Sequence, residues 1–463
     1  VGKVEACANI TVSVNCSLNR GTVKGKDMVG GLIGCVQNNS EVNITIEKTT
    51  NDGSVSASGV SVGGFVGRMN VNVLMTLNII DSLNNGAMES SWNTVAGFIG
   101  LFRTNKNSSI VFFGDTNNGP VNVNPSQEKS FASGFIGYMQ NNSFINLLFN
   151  ECNNTAAITG STRIGGFFGE IIDNAEMNLE FKKCINNGTV NGTNMLGGIA
   201  GLINNNTAIS IVSNGCVNNG NISGDSYVSG FFGYIAAVPR VLTSVNFLNC
   251  QNNGVIQGKT QNQCGFFCVS NNDDQKSIIS TVFNSINKGD LNGENVYGFS
   301  NIVTNNAANS VSFGKLFGKN GVPFFSETNY LNRNLFISEE ICRWCESLFV
   351  EKQDRFYYVK TTDERIDDLL NEMVLDENYE MWWNSKLDLV PPPEPATFKV
   401  KIEGLKESEE SVIAGATLGS LSVLDEFWDN PTVCVIDGKS SNVIVYDRAK
   451  RVTRDMVVKV LKQ

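Results

Sequence analysis

The segment GGFFGEIIDNAEMNLEFKKCINNGTVNG, residues 165–192, contains three features in a fixed order. A glycine pair is followed by apolar residues, the next segment alternates apolar and polar residues through Met177, Leu179 and Phe181, and the turn Asn186-Asn187-Gly188 follows. Alternation with a period of two predicts a half-buried β-strand, and Asn and Gly together are typical of a turn that uses positive φ. The segment therefore predicts short strands joined by a sharp turn.

The same pattern occurs nine times between residues 1 and 301. The second glycine of the pair lies at Gly31, Gly64, Gly97, Gly134, Gly166, Gly198, Gly230, Gly265 and Gly298. The steps between these glycines are 33, 33, 37, 32, 32, 32, 35 and 33 residues, so the insertions are expected in loops. A period of this length with three short strands per copy is typical of a solenoid.

We therefore predict an all-β fold, a right-handed parallel β-helix of about nine coils of 32–33 residues. With coils about 4.8 Å apart, it would be a rod of the order of 40 Å long. Two-helix repeats of 33–34 residues are the alternative. Gly, Asn and β-branched residues dominate every copy, which is unfavourable for helices.

Stacking of coils places equivalent residues in columns. The first Asn of the turn is present in all nine copies and predicts a structural amide ladder: Asn19, Asn51, Asn84, Asn117, Asn154, Asn186, Asn218, Asn252 and Asn287. The residue after the glycine pair predicts one internal aromatic ladder: Phe65, Phe98, Phe135, Phe167, Phe231, Phe266 and Phe299. The following residue is also large in several copies, so either the alternating strand or a binding partner covers it.

The repeat from Gly165 to Gly192 resembles the GLUG-motif repeat of secreted and surface-anchored proteins, over about residues 1–301. The resemblance implies a β-helical stalk or adhesive region of an extracellular protein. Some members are attached to immunoglobulin-cleaving metallopeptidases, but this chain has no His-Glu-x-x-His motif.

Composition changes near residue 335 and predicts further domains. Residues 1–334 contain 57 Asn and residues 335–463 only five, while the net charge changes from −1 to −9. We predict the β-helix over 1–335, an α-containing cap over 336–390 with a helix at 363–374, a Pro-rich linker at 391–395 and a small domain over 396–463. In that domain we expect strands at 398–402, 433–436, 443–446 and 456–461 and a short helix at 418–427. The segments 413–418 and 452–456 are similar to the β-grasp repeats of internalin-like surface proteins.

The twelve cysteines leave several interpretations open. One repeat column contains Cys152, Cys184, Cys216 and Cys250, which could be a buried thiol stack or disulfides between neighbouring coils. Cys264 and Cys268 lie within one copy, and both interpretations apply to them. Cys342 and Cys345 have the spacing of a redox or zinc site, but a second such pair is missing, so structural cysteines are expected.

Eleven Asn-x-Ser/Thr sequons are possible N-glycosylation sites, a number that the Asn content alone would produce. They begin at Asn9, Asn15, Asn38, Asn43, Asn107, Asn141, Asn153, Asn187, Asn191, Asn205 and Asn221. Their use would require secretion by a eukaryote.

Composition also limits the chemistry. The chain has no His, which excludes Ser/His/Asp and Cys/His catalysis and every His-ligated metal. A net charge of −10 is unfavourable for nucleic acid binding. No apolar run is long enough for a membrane segment, and the start at Val1 without Met or a signal peptide indicates a processed or excised piece.

Many β-helices cleave polysaccharides with carboxylates gathered on one strand face. The column four residues after the second glycine shows no such cluster: Cys35, Arg68, Leu101, Tyr138, Glu170, Leu202, Tyr234, Val269 and Ile302. Glu170 with Asp173, and Asp273 with Asp274, are expected in solvated loops.

We therefore expect a non-enzymatic extracellular or cell-surface protein without metal or cofactor. Its partners would be a host or matrix protein, a glycan, or copies of itself in a coat or filament. A polysaccharide-binding or polysaccharide-cleaving protein and an intracellular structural scaffold are the alternatives.

Overall fold

The computed structural model describes residues 1–124, 129–236, 242–269 and 277–301, and beyond them mainly strand segments as far as residue 462. The chain divides into two compact units, residues 1–361 and 362–463. The described residues form no α-helix. Residues 1–301 form a parallel β-helix, as the repeat predicts, and each coil passes through four sheets.

Sheet 1 follows the glycine pair of each coil. All nine of its strands are parallel. They are Lys3–Glu5, Ile33–Gln37, Val66–Asn70, Ile99–Arg103, Ile136–Gln140, Phe168–Ile172, Ala200–Asn204, Phe232–Ala236 and Phe267–Val269.

Sheet 2 contains the alternating strands and the short strands at the Asn turn, 19 strands in all. The long series is Ile10–Asn15, Val42–Glu47, Met75–Ile80, Lys106–Phe113, Ser143–Asn150, Ala175–Lys182, Thr207–Asn214, Leu242–Leu248, Ser277–Asn287, Ser310–Phe317 and Leu335–Phe336. The short series is Leu18–Asn19, Thr50–Asn51, Leu83–Asn84, Thr116–Asn117, Asn153–Asn154, Ile185–Asn186, Val217–Asn218 and Gln251–Asn252.

Sheets 3 and 4 complete the coil with nine parallel strands each. Sheet 3 consists of Val23–Gly25, Val55–Ala57, Met88–Ser90, Val121–Val123, Ile158–Thr159, Val190–Asn191, Ile222–Ser223, Ile256–Gln257 and Leu291–Asn292. Sheet 4 consists of Val29–Gly30, Val62–Gly63, Thr94–Ala96, Phe131–Ser133, Thr162–Gly165, Asn194–Gly197, Ser226–Ser229, Asn262–Cys264 and Asn295–Tyr297. The chain thus makes eight full turns between the first and last strand of each nine-stranded sheet.

A coil therefore has five strand segments, and the expected number of three was too low. The Asn turn, predicted as a turn only, contains a short strand of its own, and the segment after it is also a strand. Their backbones stack in register from coil to coil, as in Asn186 opposite Asn218 and Val190 opposite Ile222, and so they form parallel ladders.

The interior contains two separate apolar cores. The larger core lies between sheets 1 and 2 and contains the Phe residues, and the smaller one lies between sheets 3 and 4 and contains mainly Val and Ile. Ile136, Phe168, Phe232 and Phe267 are all at most 1% exposed in the larger core. Of the two alternatives for this position, the structure thus shows that sheet 2 covers it.

Outside the β-helix the described residues form small sheets. Phe349–Gln353 pairs with Phe356–Val359, and Trp382–Trp383 pairs with Leu389–Val390, both antiparallel. The predicted helix at 363–374 and the linker at 391–395 lie outside the described residues. The predicted domain boundaries stay predictions.

The last described sheet has four strands, Thr397–Gly404, Ser408–Ile413, Val433–Asp437 and Met456–Lys462. Their order is second, first, fourth, third, and the first and last strands pair in parallel at the centre. This is the strand order of a β-grasp sheet. The predicted strand at 443–446 lies outside the described residues, and of the predicted helix at 418–427 only Leu421 and Leu424 are described, joined by one backbone hydrogen bond.

Candidate functional site

The nine Asn residues of the turn form a continuous internal column. Each Nδ2 donates to the Oδ1 of the Asn one coil further on, over eight hydrogen bonds of 2.7–2.9 Å from Asn19 to Asn287. In six of these coils Nδ2 also donates to the carbonyl oxygen two residues later, as from Asn186 to Gly188 at 3.0 Å; the donors are Asn51, Asn84, Asn154, Asn186, Asn218 and Asn252. The column therefore satisfies buried polar groups in every coil and fixes the turn to its neighbours.

The turn does not use positive φ at its Asn or Gly, contrary to the sequence prediction. The left-handed residue lies three positions before the Asn, in eight coils: Cys16, Lys48, Asp81, Gly114, Glu151, Lys183, Gly215 and Asn249. Glycine is needed in the turn for space, because a Cβ on Gly86 would collide with the carbonyl oxygen of Gly53 one coil away. The tertiary stack, and not local backbone strain, requires this glycine.

A second amide column was missed in the sequence. Asn39, Asn72, Asn105, Asn142, Asn174 and Asn206 are at most 2% exposed and lie where the chain leaves sheet 1. Their side chains are joined by hydrogen bonds of 2.8–3.3 Å. A signal was present, since an Asn stands eight residues after the second glycine in six successive copies.

The Phe column is two stacks and not one. Phe65, Phe98, Phe135 and Phe167 are stacked with ring centroids 4.6–4.9 Å apart. Ile199 then interrupts the column, and Phe231, Phe266 and Phe299 continue it with centroids 4.6–4.8 Å apart. A further stack on sheet 2, Phe112, Phe149 and Phe181, meets the first one edge to face.

The column two residues before the ladder Asn contains the four predicted cysteines. In chain order it is Ser17, Thr49, Ser82, Asp115, Cys152, Cys184, Cys216, Cys250 and Ser285. The cysteines are free thiols, at most 1% exposed, and each sulfur lies 3.2–3.6 Å from backbone carbonyl oxygens. Burial raises the pKa of the Cys184 and Cys250 thiols, so they are poor nucleophiles in the folded chain.

Asp115 is a buried carboxyl group in the same column. It is 0% exposed and accepts hydrogen bonds from the backbone N–H of Ser82 at 2.8 Å and of Phe113 at 3.0 Å. Burial raises its pKa to about 8, although these two bonds oppose the shift. The other eight places of this column hold Ser, Thr or Cys, so Asp115 is the one carboxyl group in it.

Glu170 is buried and paired, contrary to the predicted solvated loop. Its side chain is 3% exposed, and its Oε1 lies 3.3 Å from Nε of Arg163, which is in sheet 4 and stacks over Phe131. Burial raises the pKa of Glu170 to about 7, and Arg163 opposes the rise. Asp173 is half-buried and accepts a hydrogen bond from Gln140. The ion pair joins neighbouring sheets and has little contact with solvent.

All eleven sequon asparagines are accessible. Asn43 and Asn153 are half-buried, and the other nine are exposed. Asn187 Nδ2 donates to Asn153 Oδ1 at 3.0 Å, so a glycan on Asn187 would replace this surface contact. The structure places none of the eleven in a core.

A polar groove of about 590 Å³ runs across the outer face of sheet 3. Lys24, Ser56, Glu89 and Asn122 line it from four successive coils, opposite one another in register. Ser90 and Ser91 line it too, and the next residue, Trp92, is 51% exposed. The backbone N–H of Trp92 donates to Ser90 Oγ at 3.1 Å, which fixes the backbone of Trp92 to a residue that lines the groove.

Within the described residues, no cluster of metal-ligating side chains is found, and no helix has the length and apolar character to cross a membrane. Cys342, Cys345, Asp273 and Asp274 lie outside them. Comparison of the chain with known protein families, curated proteins and solved structures finds no match. Function must therefore be inferred from the residues themselves.

Proposed function

We propose that this protein is a non-catalytic modular protein of the cell surface or extracellular space, in which the β-helix is a stalk for adhesion or assembly. The observation that supports the proposal most is the amide ladder, which links nine coils through eight side-chain hydrogen bonds. The side chains of the buried columns pack and form hydrogen bonds inside the β-helix, whereas the residue types of the outward columns vary from coil to coil. Such a repeat supplies length and stiffness and leaves the surface free to diverge.

The location is tested on intact cells of the source organism with an antibody raised against residues 1–301. Labelling without permeabilisation is expected, and protease treatment of intact cells should remove the signal. Labelling only after permeabilisation would contradict the proposal and favour the intracellular scaffold. In a eukaryotic source, the intact mass should also fall on glycosidase treatment, since all eleven sequons are accessible.

The groove on sheet 3 favours a second candidate function, glycan binding. Hydroxyl, amide, carboxylate and ammonium groups follow one another at the spacing of parallel strands, about 4.8 Å, which is close to the length of one sugar unit in an extended chain. An exposed Trp next to such groups offers a flat apolar face for a sugar ring. Hydrogen bonds from the groove would then orient a bound glycan, and Trp92 would add contact area.

A glycan array tests this candidate. The unaltered chain should bind a subset of glycans, and Trp92→Ala should lose most of that binding, while Phe144→Ala on sheet 2 should keep it. Phe144 is a suitable control because it is also exposed, at 53%, but lies on another face. Equal binding by both variants would exclude the groove as the glycan-binding site. Release of reducing sugar would indicate a polysaccharide-cleaving enzyme instead.

A further inference from the structure

Cys264 and Cys268 lie on either side of a bend in the eighth coil. Cys264 ends the strand Asn262–Cys264 of sheet 4, and Cys268 belongs to the strand Phe267–Val269 of sheet 1. The bend brings the two sulfur atoms to 3.0 Å, and both residues are 0% exposed. The pair is thus held together by the backbone path and not by flexible side chains reaching across a surface.

The residue at position 268 departs from the repeat. The seven preceding copies have glycine there: Gly34, Gly67, Gly100, Gly137, Gly169, Gly201 and Gly233. A Cβ on Gly233 would lie 2.6 Å from the Gly201 carbonyl oxygen and from the Leu196 nitrogen, so a side chain is excluded in a regular coil.

The eighth coil accommodates Cys268 through an irregular register. Phe232 pairs with Phe267 but Ile235 pairs with Val269, so three steps on one strand face two on the other. This is a β-bulge, which shifts the backbone locally. The thiol of Cys268 also lies 3.1 Å from Ser229 Oγ and 3.3 Å from the Asn262 carbonyl oxygen, and these contacts direct it towards sheet 4 and Cys264.

We propose that Cys264 and Cys268 are a modification site that forms an intramolecular disulfide with a small-molecule disulfide as oxidant. A disulfide bond is about 2.05 Å long, so the sulfurs need to approach by only about 1 Å. One cysteine thiolate attacks a sulfur of the oxidant and releases one thiolate. The second cysteine thiolate attacks the resulting mixed disulfide, forms the Cys264–Cys268 bond and releases the second. The two cysteine protons pass to the released thiolates, and the oxidant gains two electrons.

Access of the oxidant depends on opening of the ninth coil. Cys264 Sγ lies 3.8 Å from Asn301 Oδ1, and Asn301 binds Val269 through two hydrogen bonds, so the ninth coil covers the pair. Local opening of part of a β-helix costs less free energy than unfolding of the whole, so the pair is exposed to the oxidant in a small fraction of molecules. Oxidation should therefore be slow, and the product should fix the bend between sheets 4 and 1 in the eighth coil.

The experiment uses the full reduced chain in a series of reduced and oxidised glutathione mixtures. After acid quenching, the chain is unfolded, alkylated and analysed by peptide mass spectrometry. We expect a linked peptide that joins Cys264 to Cys268 at glutathione ratios typical of the secretory pathway. The column with no such bend should stay reduced and be alkylated under the same conditions: Cys152, Cys184, Cys216 and Cys250.

Two variants complete the test. Cys264→Ser and Cys268→Ser should each abolish the linked peptide and leave the remaining cysteine as a thiol or a glutathione adduct, whereas Cys152→Ser should leave the link intact. A low urea concentration that opens the ninth coil should accelerate formation of the Cys264–Cys268 disulfide. The proposal is overturned if Cys264 and Cys268 are both alkylated at the most oxidising ratio even in this urea, or if either one pairs with another cysteine. These outcomes concern the geometry of the pair and leave the proposed cell-surface location to its own test.

Discussion

Gln263 is a buried amide at a place that neighbouring coils fill with valine. It is 0% exposed, and within the described part of the chain neither its Nε2 nor its Oε1 has a hydrogen-bond partner. Its register partners are Val228 and Val296, both in sheet 4. A buried polar group without a partner costs about 1–3 kcal/mol.

Gln263→Val should therefore stabilise the β-helix by about 1–3 kcal/mol, because it removes the desolvated amide and restores the apolar column. Urea unfolding of residues 1–301 within the full chain measures the change. Gln261→Val, at an exposed position two residues away, is the matched control and should change stability by about 0.5 kcal/mol or less. An unchanged midpoint for Gln263→Val would show that water satisfies the amide.

Asp115 should make stability depend on pH. Its pKa is about 8 in the folded chain against 3.8 for the ordinary group, so between these values the folded state binds more protons than the unfolded state. The contribution of Asp115 to the free energy of unfolding should then decrease as pH rises from about 4 to about 8. Outside this window its contribution should be constant. Each pKa unit corresponds to about 1.4 kcal/mol, so the total is a few kcal/mol.

Asp115→Ser should remove this loss. Serine stands at three places of the same column, and Ser82 Oγ accepts the Thr49 N–H there at 3.2 Å, so the geometry is already used in the fold. Unfolding midpoints at pH 5 and pH 9 should differ less in the variant than in the unaltered chain. Asp52→Ser, an exposed control, should keep the original difference.

The amide ladder is a property of the stacked turns. Asn186 Oδ1 accepts from Asn154, and its Nδ2 donates to Asn218 and to the Gly188 carbonyl. Asn186→Ala leaves buried donors and acceptors on both neighbouring coils unpaired and should destabilise the protein by about 3 kcal/mol, at about 1–3 kcal/mol per unpaired group.

Asn187→Ala is the matched control for the ladder, because Asn187 is the next residue and is exposed. It should cost about 0.5 kcal/mol or less. Thermal unfolding of both variants measures the difference, and equal midpoints would contradict a structural role of the ladder. Neither variant should change binding in a glycan array.

The left-handed residue before the Asn turn is a second property of this element. Glu151 is exposed and has φ of 56°, whereas two other coils have glycine at the same place, Gly114 and Gly215. A residue with a Cβ loses about 1–2 kcal/mol of stability in left-handed backbone, and glycine avoids this cost. Glycine offsets part of the gain, because its unfolded chain has more conformational entropy. Glu151→Gly should raise the unfolding midpoint, while Asn150→Gly, in the preceding strand, should lower it.

Over the β-helix as a whole, stability should vary along the stack. The strand Ile10–Asn15 pairs on one side only, and its inward residues are half-buried, whereas those of Val42–Glu47 are buried. Hydrogen exchange should therefore be fastest in the first coil and slowest in the central coils, as in other nearest-neighbour solenoids. Uniform exchange along residues 1–301 would indicate a single cooperative unit instead.

The repeat made much of this fold predictable. A period of 32–33 residues identifies which residues lie above one another, because stacking relates equivalent positions only. Gly64, Asn84 and Phe98 could thus be assigned to columns without knowledge of the path within a coil. Stacking of the coils also explains why the pair must be glycine. A Cβ on Gly64 would collide with the Gly97 carbonyl oxygen and with Asn84 Oδ1.

The candidate sites were less predictable. The sequence predicts a solvated loop for the isolated acidic pair Glu170 and Asp173, yet Arg163 from the preceding strand pairs with Glu170. Sequence does not show which corner side chains meet. The groove on sheet 3 was not predicted, because its lining comes from four successive coils. The Asn39 to Asn206 column had a periodic signal that was overlooked among the many Asn residues.

The sequence by itself determined the parallel β-helix, its coil number and the contents of its main columns, because each is a relation between residues one repeat apart. The tertiary structure alone decided the division into two cores, the position of the left-handed residue and the 3.0 Å approach of Cys264 and Cys268. These depend on the direction of the chain at each corner of the coil. That direction is set by packing of whole sheets against one another, which no single repeat unit encodes.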